Sequence, residues 1–231
     1  MNDVRWNRSG GAAGVAYVVG SFVAATLTGV PPAWDATNKV VQSFFIDHRG
    51  AVIAQGWLYA LATGLLLWFA VVVRRVLYRA SSGQHLGDLL LVGIAAVAAL
   101  SFVSMSIRIV TAVAADQLSA AAVRAVGYDF SLALLSLQGF IVAAAALAYA
   151  ACVIAEPVLP RWTAWLAILA AVINLAGTTS VFFRTGLFSI EGNLLTTFLP
   201  VLSTAVWYLA VSVALFRTRN PAEQAVGSGS V

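Results

Sequence analysis

The sequence predicts an all-α fold, a bundle of six transmembrane helices. Its 231 residues are 61% hydrophobic and 10% charged, against roughly 45–50% and about 25% in a soluble globular domain. The mean hydropathy is +0.91. The apolar residues also gather into six runs, Gly11 to Val30, Ala51 to Val73, Leu89 to Val113, Phe130 to Ile154, Trp162 to Phe182 and Leu194 to Phe216. Each approaches the length of about 20 residues that a helix needs to cross a bilayer.

Residues 1–10, polar and glycine-bearing, read as a cytoplasmic N-terminal tail. The run that follows is longer than the apolar core of a cleavable signal, about 7–15 residues, and passes into "PPAWDA" with no clear small-residue cleavage site. It is therefore expected to be a retained first span. Between Pro32 and Arg49, Val40, Val41, Phe44 and Phe45 recur at helical spacing among polar residues. That pattern predicts a short amphipathic helix over 34–48 capping the outer face, with Asp35 as its N-cap and Trp34 at headgroup level. The remaining connections are mostly short, so successive spans should pack as antiparallel hairpins. Pro200 is expected to kink the sixth span. Residues 11–216 thus form the bundle, and 217–231, "FRTRNPAEQAVGSGSV" without its first phenylalanine, a flexible cytoplasmic tail.

Charge sets the orientation. With the N-terminus inside, the cytoplasmic segments carry eight arginines (5, 8, 74, 75, 79, 161, 217 and 219) against four acids, and the outer side carries five bases against five acids. The formal excess of +4 lies wholly inside, as the Lys/Arg bias of cytoplasmic loops requires, and both termini are cytoplasmic. The same distribution argues against nucleic acid as a partner, because the basic residues flank spans and form no face interleaved with aromatics. The single Cys152 permits no internal disulfide or CxxC pair. His48 and His85 fall on opposite sides of the membrane, so they do not share a metal or haem. No metal site and no cofactor is expected.

Lys39 is the only lysine beside twelve arginines, a bias that suggests a GC-rich bacterial genome. A first span ending in "GVPP", an outer helix ending in "FFIDHRG", a second span ending in "LWFAVVVRRVL" and "LPRWTAWLAILAA" at 159–171 resemble a group of small, functionally uncharacterised six-span proteins of actinobacteria. The resemblance covers most of the chain and implies six spans in a bacterial plasma membrane. It carries no catalytic residues.

Polar side chains at depth are the informative ones, since lipid offers them no partner. His48, Gln55, Tyr59 and Thr63 share one face of the second span, and Ser101, Ser104 and Arg108 one face of the third. The fourth carries Asp129, Ser136 and Gln138, the fifth Asn174, Thr178 and Arg184, and the sixth begins at Glu191. Gln55, Arg108, Gln138 and Asn174 come within roughly 7–12 Å of the outer boundary at about 1.5 Å per residue, whereas the inner halves are almost featureless. A polar pocket in the outer leaflet half is therefore expected, with Asp47, His48, Gln55, Tyr59, Arg108, Asp129, Gln138, Asn174, Arg184 and Glu191 as candidate ligand-binding residues.

Each has a plainer account. Arg108 can snorkel to the interface instead of pairing with Asp129, Asp47 or Glu191. His48 can sit hydrogen-bonded in the interface instead of titrating against an acid. Gln55, Gln138 and Asn174 can serve as interhelical hydrogen bonds. No catalytic motif stands out. Binding or sensing of a small molecule or lipid, or support of a membrane assembly, is the leading expectation. A small-molecule or ion-coupled transporter and a membrane-embedded enzyme acting on a lipid-like substrate are the alternatives. The bilayer is the constant partner, and homo- or hetero-oligomer formation is left open.

Overall fold

The computed structural model describes residues 3–182, 196 and 198–218. Among them the fold is all-α, with seven helices: α1 (Asp3–Thr26), α2 (Asn38–Asp47), α3 (Arg49–Leu77), α4 (Gly83–Ala114), α5 (Ala120–Ala155), α6 (Arg161–Phe182) and α7 (Leu199–Arg217). Six of them, all but α2, are long and apolar enough to cross a membrane. Their outward faces are oily as well, with Trp57 at 67%, Val110 at 67% and Trp165 at 64% exposure, which suits lipid and not water.

The six long helices close into a ring. α1 packs on α3, α3 on α4, α4 on α5, α5 on α6, α6 on α7, and α7 returns to α1. Phe69 of α3, Tyr149 of α5, and Trp207 and Tyr208 of α7 fill the middle, all nearly or fully buried. Phe69 and Tyr208 meet edge to face at 5.5 Å, Tyr149 and Trp207 at 5.6 Å, and Tyr17 of α1 reaches Tyr208 at 5.8 Å. The Tyr149 hydroxyl shares a 2.6 Å hydrogen bond with Thr163, so this phenol is buried without an orphaned oxygen. Phe69 and Tyr149 lie in the second halves of α3 and α5, toward the end of the bundle that carries the paired arginines.

At that end Asp3 bridges Arg75 at 2.7 Å and Arg79 at 3.1 Å, and Arg74 meets Asp88 at 2.6 Å. The Asn7 amide donates to Thr218 at 2.9 Å, joining the first helix to the last. Residues 3–10, expected as a tail, are helical. An acid in the first turn suits the positive helix N-terminus, Trp6 packs on Trp68 with ring centroids 4.8 Å apart, and the small side of "SGGAAG" lets α1 close in. A methyl group at Gly10 would come within 2.5 Å of Val72, and one at Gly14 within 2.7 Å of Phe69. Gly10, expected in the tail, and Gly14, expected in the first span, are both contact points between helices.

Two other boundaries differ from expectation. α2 starts at Asn38, with Thr37 as N-cap accepting from Val40 N at 3.4 Å; Pro31 to Ala36 instead turn, with Ala36 N bonded to Ala33 O at 3.0 Å. Pro200, expected to kink the sixth span, falls in the first turn of the regular α-helix α7, two residues after π-helical Phe198.

Candidate functional site

The end of the bundle opposite the arginine pairs is organised by α2. Its Val41, Phe44 and Phe45 are buried against Val52 of α3, Ala112 of α4, and Val123 and Tyr128 of α5. Side chains fasten it to backbone: Gln42 Nε2 donates to Ala115 O at 2.8 Å and to Leu118 O at 2.9 Å. Arg124 donates to Ala36 O and Trp34 O, and the Tyr128 hydroxyl to Pro32 O. Trp34 stands 5.9 Å from the Tyr128 ring.

Arg124 and Tyr128 belong to a π-helical stretch, Val123–Phe130, inside α5. Its wider turns leave carbonyls out of the ordinary ladder. The Ser131 hydroxyl donates to Gly127 O at 2.8 Å and Tyr128 O at 3.0 Å, while Ser104 of α4 donates to Ser131 O at 3.0 Å. Gly127 brings the stretch against Thr111, whose side chain a methyl group there would overlap. The widened turn thereby delivers Tyr128 to the ground beneath α2.

Arg108 of α4 lies in that ground. It is 7% exposed, six residues before the end of α4 at Ala114, about 9 Å along the axis. Its Cζ is 5.8 Å from the Phe45 ring centroid. Among the described residues, Tyr128 and Tyr59 are ionisable side chains within electrostatic range. Its Nε is buried with no hydrogen-bond partner, and among the described residues no carboxylate lies within 4.0 Å of the guanidinium. The pairing with Asp129 or Asp47 is not what the structure has. Asp129 meets Arg124 at 3.5 Å instead, and Asp47 is exposed at the end of α2. Snorkelling is not what it has either, because the side chain is buried beneath Phe45.

The other candidates are dispersed. Gln55 is buried, donating to Ala24 O and Thr28 Oγ1, both at 3.2 Å, and so ties α3 to the end of α1. Gln138 accepts from Ser101 at 3.3 Å, across α4 and α5. Asn174 donates to Ala170 O at 2.8 Å and to Thr204 at 2.9 Å, across α6 and α7. These three are fastenings between helices. Tyr59, one turn on from Gln55, is half-buried. His48 is exposed at the joint of α2 and α3, its ring stacked 4.7 Å from Phe44 and its Nδ1 3.1 Å from Phe44 O. Arg49 pairs with Asp116 at 3.2 Å. Arg184 and Glu191 lie outside the described residues.

Two features escaped the sequence reading. Phe45 counted only as an apolar anchor, yet it roofs Arg108. Tyr128 and Arg124, left among loop residues ahead of the fourth span, hold the connection to α2. An open depression of about 450 Å³ beside α2, lined by residues that include Lys39, Phe44, Asp47 and His48, does not reach Arg108. Arg108 is thus a buried cation whose Nε has no partner, beneath the Phe45 ring; at the same end of the bundle Arg49 Nε and Asp129 Oδ1 are also buried without a hydrogen bond. No family model matches this chain, and neither curated proteins nor solved structures give a match.

Proposed function

We propose that the protein is a multi-pass protein of the bacterial plasma membrane whose outer half, beneath α2, binds a small molecule or lipid, to sense it or to support a membrane assembly. Both termini are cytoplasmic in this reading, α2 caps the outer mouth, and the charge partition of the loops supports that orientation. Arg108 is the observation that carries the reading: a guanidinium buried inside a span without a counter-ion among the described residues is costly unless something else supplies its partner.

The packed aromatic centre supports binding over passage. Phe69, Tyr149, Trp207 and Tyr208 occupy the place where a path to the cytoplasm would run. The test is an untargeted mass-spectrometric inventory of molecules that stay with the protein through purification in mild detergent. A molecule retained in stoichiometric amount is the expected result. Recovery of the protein with nothing bound would overturn the reading, and recovery of a chemically converted molecule would replace it by an enzyme.

A further inference from the structure

Arg108 also says what kind of molecule to expect. We infer that Arg108, beneath Phe45, forms an oxyanion site whose guanidinium receives a carboxylate or phosphate group. The inference rests on the binding reading above and names the ligand class for it.

Three observations converge. First, the arginine is 7% exposed and its Nε has no partner, while its neighbours on α4 are satisfied or apolar: Ser104 is spent on Ser131 O, and Met105 and Ala112 are buried. Secondly, no carboxylate among the described residues pairs with it: Asp129, whose Oδ1 is buried without a hydrogen-bond partner, lies 3.5 Å from Arg124, Asp116 lies 3.2 Å from Arg49, and Asp47 is exposed at the end of α2. Thirdly, side chains of two other helices come near the guanidinium. Tyr59 on α3 lies in electrostatic range of the guanidinium, and Phe45 on α2 roofs it at 5.8 Å. A guanidinium presents several N–H donors in a planar fork that matches carboxylate and phosphate oxygens, and its bonds to an anion strengthen as water is excluded. A neutral ligand would leave the charge unanswered.

The same chemistry comes from two sources, the headgroup of an anionic amphiphile in the bilayer or a free anion from outside. The walls of Phe45, Met105 and Tyr128 and the position within a span suit a head that carries its own apolar tail.

The experiment follows the unfolding temperature of the whole protein in an uncharged maltoside detergent, titrated with oleate, dodecyl phosphate, oleyl alcohol or inorganic phosphate. Oleate or dodecyl phosphate should stabilise the wild type, and oleyl alcohol should not. Arg108→Gln should weaken the anionic probes about ten- to a hundredfold, the range of a charged hydrogen bond. Stabilisation by inorganic phosphate as strong as by dodecyl phosphate would still support the site and assign it to a free anion.

Ligand-free protein gives an independent sign. If the chain does not neutralise Arg108, Arg108→Gln alone is at least as stable as the wild type. A large loss, matched by Glu191→Gln, would place the counter-charge within the chain and overturn the inference. Oleyl alcohol binding as well as oleate, with Arg108→Gln unchanged, would overturn it while leaving the binding reading intact. Failure of every probe on the wild type would overturn it too, and only an empty mass-spectrometric inventory would then take the binding reading with it.

Discussion

Asn174 and Arg108 are buried to almost the same degree, 6% and 7% exposed, and the difference between them is what each one touches. Asn174 spends its amide on Ala170 O and Thr204, so Asn174→Ala should lower stability by about 0.6–2 kcal/mol, read as a lower unfolding temperature in detergent, without changing the response to oleate. Another residue-scale prediction concerns pH. The Ser81 hydroxyl, and then its backbone N–H, hold the half-buried Glu156 carboxyl below its ordinary value of 4.5. A lowered folded-state pKa gives stability that is present above the unfolded value and lost as pH falls through the folded one. Unfolding temperatures taken between about pH 5 and 3 should therefore fall more steeply for the wild type than for Glu156→Gln. The polar faces of the spans were legible in the sequence; their partners were not. Gln55 bonds to a carbonyl of α1, and carbonyls carry no residue identity. Asp129 goes to Arg124, five residues away, because the π-helical stretch aligns positions at a spacing that an α-helix would set far apart.

Among the elements, α1 shows what a small-residue face does. Gly10 lies against Val72, Gly14 against Phe69 and Ser212, and no lipid-driven force holds helices together apart from such fit. Gly14→Leu should overpack the seam and cost about 1–3 kcal/mol, seen as a lower unfolding temperature. Gly20→Leu, where a methyl group finds only Ala62 at 3.4 Å, should cost less. The six apolar runs were readable from hydropathy alone, and each falls on a long helix, although the first run overshoots the end of α1 at Thr26 by four residues. Helix ends were less readable, since polar residues that continue a helix resemble those that leave one. Asp3 to Gly10 continue α1 because Arg75 and Arg79 wait for Asp3 at the end of α3, a contact between positions 72 and 76 apart in the chain. Local pattern has no access to a partner at that distance.

For the whole molecule, the orientation predicts labelling. Cys152 is fully buried, so in intact cells the native chain should resist a membrane-impermeant thiol reagent. Lys39→Cys should be labelled from outside and Arg79→Cys protected until the membrane is opened; the reverse pattern would invert the topology. Ring closure has a consequence in time. The contact of Asn7 with Thr218 spans 211 positions, so a ribosome finishes the first helix long before it makes the neighbour against which Gly11 and Gly14 pack. Contacts of such long range form late. Until α7 is made the growing chain is an open arc with an exposed seam, and α7 works as its latch. A nascent chain halted before Leu199 would carry that seam unshielded, a surface open to misassociation with other incomplete chains.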